Sequence, residues 1–179
     1  MSISAEQREQ VRQRAGRACE YCGVTETDTG GRLTIDHFQP QSQSGSDVLD
    51  NLVYCCHSCN QFKSDYWPQT ATAPRLWNPR QEKANAHLLE LVDSALFAVT
   101  DVGAFTLARL RLNRPPLIPS RQQRRQRLEA ERLLARLHDV TLLLEQMQRQ
   151  HEILLEENHA LLQDQRRLLQ MLFSQQERT

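Results

Sequence analysis

The pattern of apolar and polar positions divides the chain into an irregular first part and a continuous helical last part. Near the start, Ser4 is followed three residues later by Gln7. This is the spacing of a capping box, in which each side chain binds the backbone N–H of the other residue. The pair predicts a helix over residues 5–17.

Two short β-prone runs follow this helix. Residues 32–35 come directly after a glycine pair and predict a strand, and residues 52–54 predict a second strand. Residues 41–50 are rich in Ser, Gln, Gly and Asp and predict a loop between the strands. A helix is expected to begin near Ser58 and to continue past Lys63.

The middle of the chain, residues 84–120, carries weaker signals. Residues 87–99 are apolar enough for a helix or a pair of strands, and a β element near residues 95–99 is favoured. A helix over residues 103–112, capped by Thr100 and Asp101, is predicted to end before three closely spaced prolines. Proline lacks a backbone N–H and does not continue a helix, so this Pro-rich stretch is interpreted as a linker.

Residues 121–179 contain neither Gly nor Pro and are dominated by good helix formers. Two columns repeat every seven residues: one is Leu133, Val140, Met147, Leu154, Leu161 and Leu168, and the other is Leu137, Leu144, His151, Asn158, Gln165 and Leu172. One helix of this length would extend about 90 Å and would not bury such a stripe by itself. The pattern therefore predicts a coiled coil, either a parallel homodimer with Asn158 in its core or a pairing with a helix of another protein. Folding back onto the chain's own domain is the least favoured alternative.

Composition limits the classes of protein that remain. The 179 residues allow one modest domain with an appendage, and 22 basic residues balance 22 acidic ones, so the net charge indicates no partner. No apolar run approaches the roughly 20 residues of a membrane span. The polar N-terminus shows no signal-peptide core, which predicts a cytoplasmic protein without membrane contact.

Four of the five cysteines form two C-x-x-C pairs, Cys19/Cys22 and Cys56/Cys59. Each pair can present two thiolates to one tetrahedral ion, and two pairs close the shell around a structural zinc ion. The alternatives are ordinary buried thiols, or Cys55 or His57 acting in place of Cys56. In a reducing compartment the spacing favours zinc.

Between the two pairs lie residues with catalytic chemistry. Asp36 and His37 are adjacent at the end of the first predicted strand, Asn51 precedes the second, and Asn60 and Lys63 fall on the following helix. An isolated Asp-His pair is commonly a surface hydrogen bond, and an isolated Asn is commonly a turn residue. Neighbours on a strand point to opposite faces, so one shared site requires a turn or distortion at Asp36 and His37.

With its two cysteine pairs, the stretch from Cys19 to Lys63 resembles an HNH endonuclease with the ββα-metal fold. The matching letters are CEYCG and IDHFQPQSQSGSDVLDNLVYCCHSCNQFKSD, with a looser likeness through residues 77–80 and 100–115. The resemblance implies an α+β fold: a small HNH domain with a four-cysteine zinc site, followed by a long C-terminal helix or coiled coil.

The same resemblance implies a role for each site residue. His37 would be the general base that activates water, and Asn51 would fix its ring. Asp36 and Asn60 would bind one divalent ion that stabilises the leaving oxygen of a DNA phosphodiester. Asn60 stands where the family name has a histidine, and oxygen ligands favour Mg²⁺ or Mn²⁺.

Local charge also favours DNA as the substrate. No acidic residue lies between Asp101 and Glu129, and arginine suits contact with phosphate. The predicted DNA contacts are Lys63, Arg109, Arg111, Arg114, Arg121, Arg124, Arg125 and Arg127; the alternative for the arginines is a solvated basic face.

These patterns predict three regions: an HNH domain over residues 1–83, a small α/β extension and linker over residues 84–120, and a coiled-coil segment over residues 121–179. The leading hypothesis is a divalent-metal-dependent HNH endonuclease acting on DNA. The alternatives are a non-catalytic zinc module that binds nucleic acid or protein, and an effector nuclease of a defence or mobile-element system that a coiled-coil partner activates.

Overall fold

The computed structural model describes residues 3–176, with side chains to residue 171, and shows an α+β fold, as the sequence predicted. The helices are α1 (Ala5–Arg14), α2 (Glu26–Thr29), α3 (His57–Lys63), α4 (Asp101–Arg109) and α5 (Leu117–Gln176). The strands are β1 (Thr34–His37), β2 (Leu52–Cys55), β3 (Leu88–Glu90) and β4 (Leu96–Ala98), and short 3₁₀ turns cover Gln41–Gln43, Leu49–Asn51 and Ala84–Ala86. No helix in the described part of the chain is long and apolar enough to cross a membrane.

The predicted capping box at the start of α1 is present. Ser4 Oγ accepts from Gln7 N at 3.1 Å, and Gln7 Oε1 accepts from Ser4 N at 3.0 Å. The helix ends at Arg14 rather than residue 17, because Gly16 and Arg17 adopt positive φ angles of 60° and 58°. Such left-handed residues end a helix.

β1 and β2 form an antiparallel hairpin that supports the candidate site. Ile35 lies opposite Tyr54, and Asp36 lies opposite Val53. Alternation along the strands therefore places Ile35 and Tyr54 on one face and Asp36 and Val53 on the other. The first face packs against α1 through Val11, and the hairpin also contacts α3.

A second core joins the cysteine pairs to the middle of the chain. It contains Cys19, Val53, Trp77, Leu88 and Leu110 among its buried members. The β3–β4 hairpin confirms the strand-pair alternative for residues 87–99, and α4 begins at the predicted cap, Thr100, whose side chain accepts from Gly103 N. Elements before and after residue 83 thus share one hydrophobic core.

The last helix starts earlier than predicted. The Pro-rich stretch was expected to exclude helix up to residue 120, but α5 begins at Leu117 and includes Pro119. The prediction was wrong because Pro119 lies in the first turn, where backbone N–H groups have no partner within the helix.

The chain divides into two compact units, residues 1–125 and residues 126–179. The predicted three-part division at residues 83 and 120 stays a prediction. In the second unit the leucines of both predicted columns are exposed, for example Leu144 at 57% and Leu161 at 63%. The column member Leu172 lies outside the described side chains.

Candidate active site and metal centre

The two cysteine pairs meet at one point. The Sγ atoms of Cys19, Cys22, Cys56 and Cys59 all lie within 4.8 Å of one another, and all four side chains are buried. Four converging thiols are the donor set of a structural zinc ion, so these residues fit the predicted metal. Each pair forms a tight turn in which the backbone N–H of its second cysteine points at the first sulfur.

Cys55 is outside this cluster, as expected for the spare cysteine. Its Sγ lies 3.7 Å from Thr34 Oγ1, and burial raises the pKa of its thiol well above the usual value. Cys55 is therefore a neutral thiol of the β2 strand.

Arg114 closes the cluster from outside. Its guanidinium donates to Cys56 Sγ at 3.6 Å and to Cys59 Sγ at 3.7 and 3.8 Å. Zinc with four thiolates carries net negative charge, which a neighbouring cation offsets. Arg114 thus has a partner within the protein, and its predicted contact with DNA stays a prediction.

Asp36 and Lys63 form a buried ion pair between β1 and α3. Lys63 Nζ lies 2.9 Å from Asp36 Oδ2 and donates to His37 O at 2.7 Å, and the Lys63 side chain is fully buried. Burial raises the pKa of Asp36, and the Lys63 charge offsets this only in part. Lys63 was predicted to contact phosphate, but it is enclosed here, so phosphate would have to open this pair to reach it.

His37 is oriented by a residue that the sequence did not single out. Its Nε2 lies 2.7 Å from Asp47 Oδ1, and the hydrogen bond from His37 lowers the pKa of Asp47. An ionised Asp47 can only accept, so Nε2 carries the hydrogen and Nδ1 keeps its lone pair. The Nδ1 atom has no hydrogen-bond partner among the residues that the structure describes.

Among the described residues no hydrogen bond joins Asn51 to the His37 ring, and its predicted role at the ring stays a prediction. Asn51 instead clamps the loop after β1: its Oδ1 accepts from Gln39 N at 2.8 Å, and its Nδ2 donates to Gln39 O and Ser46 O. Its backbone O accepts from Phe38 N at 2.7 Å. Asn51 therefore positions both ends of the loop that joins His37 to Asp47.

Gly45 allows this loop to close. A Cβ atom at Gly45 would lie 1.8 Å from Gln39 O, and Gly45 N donates to Pro40 O at 2.9 Å. No larger residue fits without moving the backbone that carries Asp47.

Asn60 lies on α3 and lines an open cleft of about 590 Å³ along β1. Arg8, Arg12 and Arg32 line the same cleft. Arg12 is held by Glu26 at 2.6 and 2.7 Å, whereas the guanidinium of Arg32 forms no hydrogen bond or ion pair in the described part of the chain. The cleft thus combines a candidate metal ligand with positive charge.

Asp36 and Asn60 fit a hard divalent ion in their chemistry. Asp36 is a largely buried carboxylate paired with Lys63, and the Asn60 side-chain amide has no hydrogen-bond partner among the residues described. Carboxylate and amide oxygens are ligands that Mg²⁺ and Mn²⁺ accept. The pairing of these two residues as ligands stays a prediction.

Most of the arginines predicted to contact DNA have partners within the protein, and their contact with DNA stays a prediction. Arg121 is buried and donates to Ser94 O and Leu112 O at 2.7 and 2.9 Å, and Arg124 donates to Gly23 O. Arg109 and Arg125 donate to backbone carbonyls, and Arg111 stacks on the Phe62 ring. Arg127 lies exposed in the second unit.

Comparison with known proteins agrees with this geometry. The family model described as HNH endonuclease matches residues 19–65. A CRISPR-associated endonuclease Cas9 from Corynebacterium diphtheriae is 32% identical over 92 residues, which is 51% of this chain and 8% of that protein. The match thus covers a small part of a much longer relative. Residues 19–65, which carry the cysteine cluster and the Asp36–His37 strand, therefore form a domain of the HNH endonuclease family.

Proposed function

We propose that this protein is a divalent-metal-dependent endonuclease that hydrolyses DNA phosphodiester bonds, with His37 as the general base. The observation that carries the proposal is the pairing of His37 Nε2 with Asp47 at 2.7 Å. This contact leaves Nδ1 as an unpaired acceptor at the end of β1. A base held by a carboxylate and open on its other nitrogen is the arrangement that proton abstraction from water needs.

In this mechanism His37 takes the proton of the attacking water, and Asp47 stabilises the resulting imidazolium. Asn51 holds the backbone on either side of the pair. Asp36 and Asn60 would bind Mg²⁺ or Mn²⁺, which supplies positive charge for the phosphate and the leaving oxygen. Lys63, whose side chain is fully buried, holds Asp36 in place through their ion pair.

The DNA backbone would follow the cleft that contains Asn60. Arg8 and Arg32 line it and are exposed, so they supply the positive charge that a phosphate strand requires. Arg111 and Arg127 are further candidates, because both lie on the surface. The sequence prediction placed the DNA contacts mainly after residue 108, whereas this proposal places them first at Arg8 and Arg32.

The working unit would be a homodimer that forms through α5, the second copy binding in parallel and in register. The second column carries three consecutive polar residues, His151, Asn158 and Gln165, within an otherwise apolar stripe. A parallel, in-register pair places each against its own copy, whereas antiparallel or shifted pairs bury at least one of them against an apolar residue. Two copies would then supply two nuclease sites, one for each DNA strand.

The non-catalytic zinc module is the weaker candidate. A domain that uses zinc only for binding has no need of a buried Asp36–Lys63 pair or of an oriented His37. The effector nuclease keeps the same chemistry and differs only in its activation. A cluster of four cysteines that bind zinc and form no disulfide fits a reducing compartment such as the cytoplasm.

A plasmid-nicking assay tests the proposed function. Purified full-length protein is incubated with supercoiled DNA, with and without Mg²⁺ or Mn²⁺, beside His37→Ala and the control variant His138→Ala, whose residue lies exposed on α5. We expect metal-dependent nicking by the wild type and by His138→Ala, and a loss of about a hundredfold or more for His37→Ala. Equal nicking by all three proteins, or none with either metal, would overturn the proposal.

A further inference from the structure

Beside the loop that carries His37 lies a cavity that the proposed mechanism does not use. Its volume is about 360 Å³, and Phe38, Tyr66, Trp67, Pro68 and Leu76 form its apolar wall. Phe38 directly follows His37 in the chain. A cavity of this size accepts a planar ring with attached groups.

A second, more polar cavity of about 300 Å³ adjoins the first. Both are lined by Phe38, Trp67, Asn78 and Gln81, and the second also reaches Asn51. Asn51 holds the loop that joins His37 to Asp47. The two cavities therefore extend from this loop to the aromatic wall. A ligand that reaches His37 can therefore place a neighbouring group here.

The walls suit an aromatic ligand with polar edges. The Phe38 and Trp67 rings meet edge-to-face, with centroids 5.9 Å apart at 86°. The indole N–H of Trp67 and the side-chain amide of Gln81 have no hydrogen-bond partner among the residues described, so both can donate to a ligand. Trp77 differs, because it is buried and its indole N–H donates to Glu82 O at 2.9 Å.

Charge at the cavity is neutralised within the protein. Arg75 binds both carboxylate oxygens of Glu82 at 2.6 and 2.7 Å and lowers the pKa of Glu82 to about 2. The first cavity therefore presents neither an unpaired carboxylate nor an unpaired guanidinium. The absence of an unpaired charge disfavours a charged small molecule as the ligand and favours a neutral aromatic group. Such a group can belong to an anionic chain, whose charge is attracted by the cleft at Asn60.

We propose that this aromatic pocket binds an unpaired nucleobase of the DNA strand whose phosphodiester lies at His37. The inference rests on the proposed function and deepens it. Bases within a duplex are stacked on their neighbours and cannot enter the pocket, so the preferred substrate is single-stranded or locally unpaired DNA. Stacking on Phe38 and Trp67 tolerates any base, because every base has an aromatic face.

Tryptophan fluorescence tests the pocket without cleavage. The full-length zinc-loaded protein carries His37→Ala to prevent cutting and Trp77→Phe so that Trp67 is the sole tryptophan. The probes are an oligothymidylate, an abasic oligomer of equal charge and a blunt duplex. We expect the oligothymidylate to quench the fluorescence and to bind at least about tenfold more tightly than the abasic oligomer, while the duplex leaves the fluorescence unchanged.

Two variants identify the pocket as the origin of this difference. In the His37→Ala background, Trp67→Leu should remove the preference for bases, measured by anisotropy of labelled oligomers, and keep the abasic affinity. Gln81→Ala should weaken base binding without disturbing the aromatic wall. The control Phe97→Leu, at an exposed ring on β4, should change neither the preference for bases nor the affinity for the abasic oligomer.

Equal affinity for abasic and thymidylate oligomers, or a base preference that survives Trp67→Leu, would overturn the proposal. So would the absence of quenching by any oligonucleotide, the result expected if a protein segment occupies the pocket. If quenching occurs but the wild type nicks no DNA, the proposed nuclease function fails and the pocket stands. Nicking without quenching leaves the nuclease and removes the pocket.

Discussion

The orientation of the His37 ring depends on its hydrogen bond with Asp47, which lies ten residues away in the chain. Replacement of Asp47 by Asn keeps the shape of the side chain but removes the charge that stabilises the imidazolium. We predict that Asp47→Asn lowers the turnover rate of nicking by at least about tenfold and leaves KM for DNA unchanged.

Asp65→Asn is the matched control, because Asp65 is exposed just after α3. A rate for Asp47→Asn equal to that of this control would show that Asp47 does not orient the base. Gln41 also donates to Asp47 Oδ1, at 2.9 Å, so Gln41→Ala should give a smaller loss in the same direction.

Single residues also show what sequence could predict. The cluster of four cysteines was predictable because each C-x-x-C spacing fixes two sulfurs on one turn. Asp47 was not, since its role depends on how a loop without periodicity closes around Gly45. The contact of Arg114 with the cysteine sulfurs was not predictable for a related reason: charge along a sequence does not distinguish a phosphate contact from a contact with buried thiolates.

At the scale of elements, a charged network joins α1, α2 and β2. Arg12 binds Glu26, and the Tyr54 hydroxyl donates to the same carboxylate. The hydrogen bond from Arg12, followed by that from Tyr54, lowers the pKa of Glu26 to about 2. In the unfolded chain the Glu26 carboxylate has a pKa of about 4.3. The stability that the Glu26 network contributes is therefore complete above that pH and disappears as pH falls towards 2.

We predict that Glu26→Gln lowers the melting temperature at pH 6. The difference in melting temperature between Glu26→Gln and wild type should become smaller as pH falls to 3. Comparing the two proteins at each pH cancels acid effects on the cysteines that both share. Glu6→Gln, at an exposed position of α1, should differ little from wild type throughout. A Glu26→Gln difference that does not change with pH would show that the network adds no charge-dependent stability.

The metal centre joins the turn at Cys19 to the start of α3, the helix that carries Asn60. Zinc binding free energy is folding free energy in small domains of this kind. We predict that Cys59→Ala abolishes zinc binding and the cooperative melting of residues 1–125, whereas Cys55→Ala keeps both. Metal analysis and circular dichroism measure the two effects, and zinc retained by Cys59→Ala would contradict the assignment.

At the scale of the whole molecule, the seven-residue repeat predicted the long helix but not its first residue. Hydrophobic periodicity reports which face a helix buries, while its start depended on whether Pro119 fell in the first turn. The hydrophobic core that residues before and after position 83 share could likewise not be predicted from the sequence. It brings together residues that are distant along the chain, such as Cys19 and Leu110. What the repeat does predict is a partner for the exposed leucines of α5.

The proposed partner is a second copy of the chain, and its test follows from the two columns. We predict that the full-length protein sediments at twice its 20.8 kDa mass. Leu161→Asp, which places a charge in the apolar column, should produce monomers, whereas Leu142→Asp, outside both columns and 48% exposed, should remain dimeric.

Asn158→Leu should relax the pairing towards higher oligomers, because it removes a polar core residue that favours two strands. A monomeric wild type at every concentration would exclude the homodimer, and two separate nicking events would then be needed to cut both DNA strands.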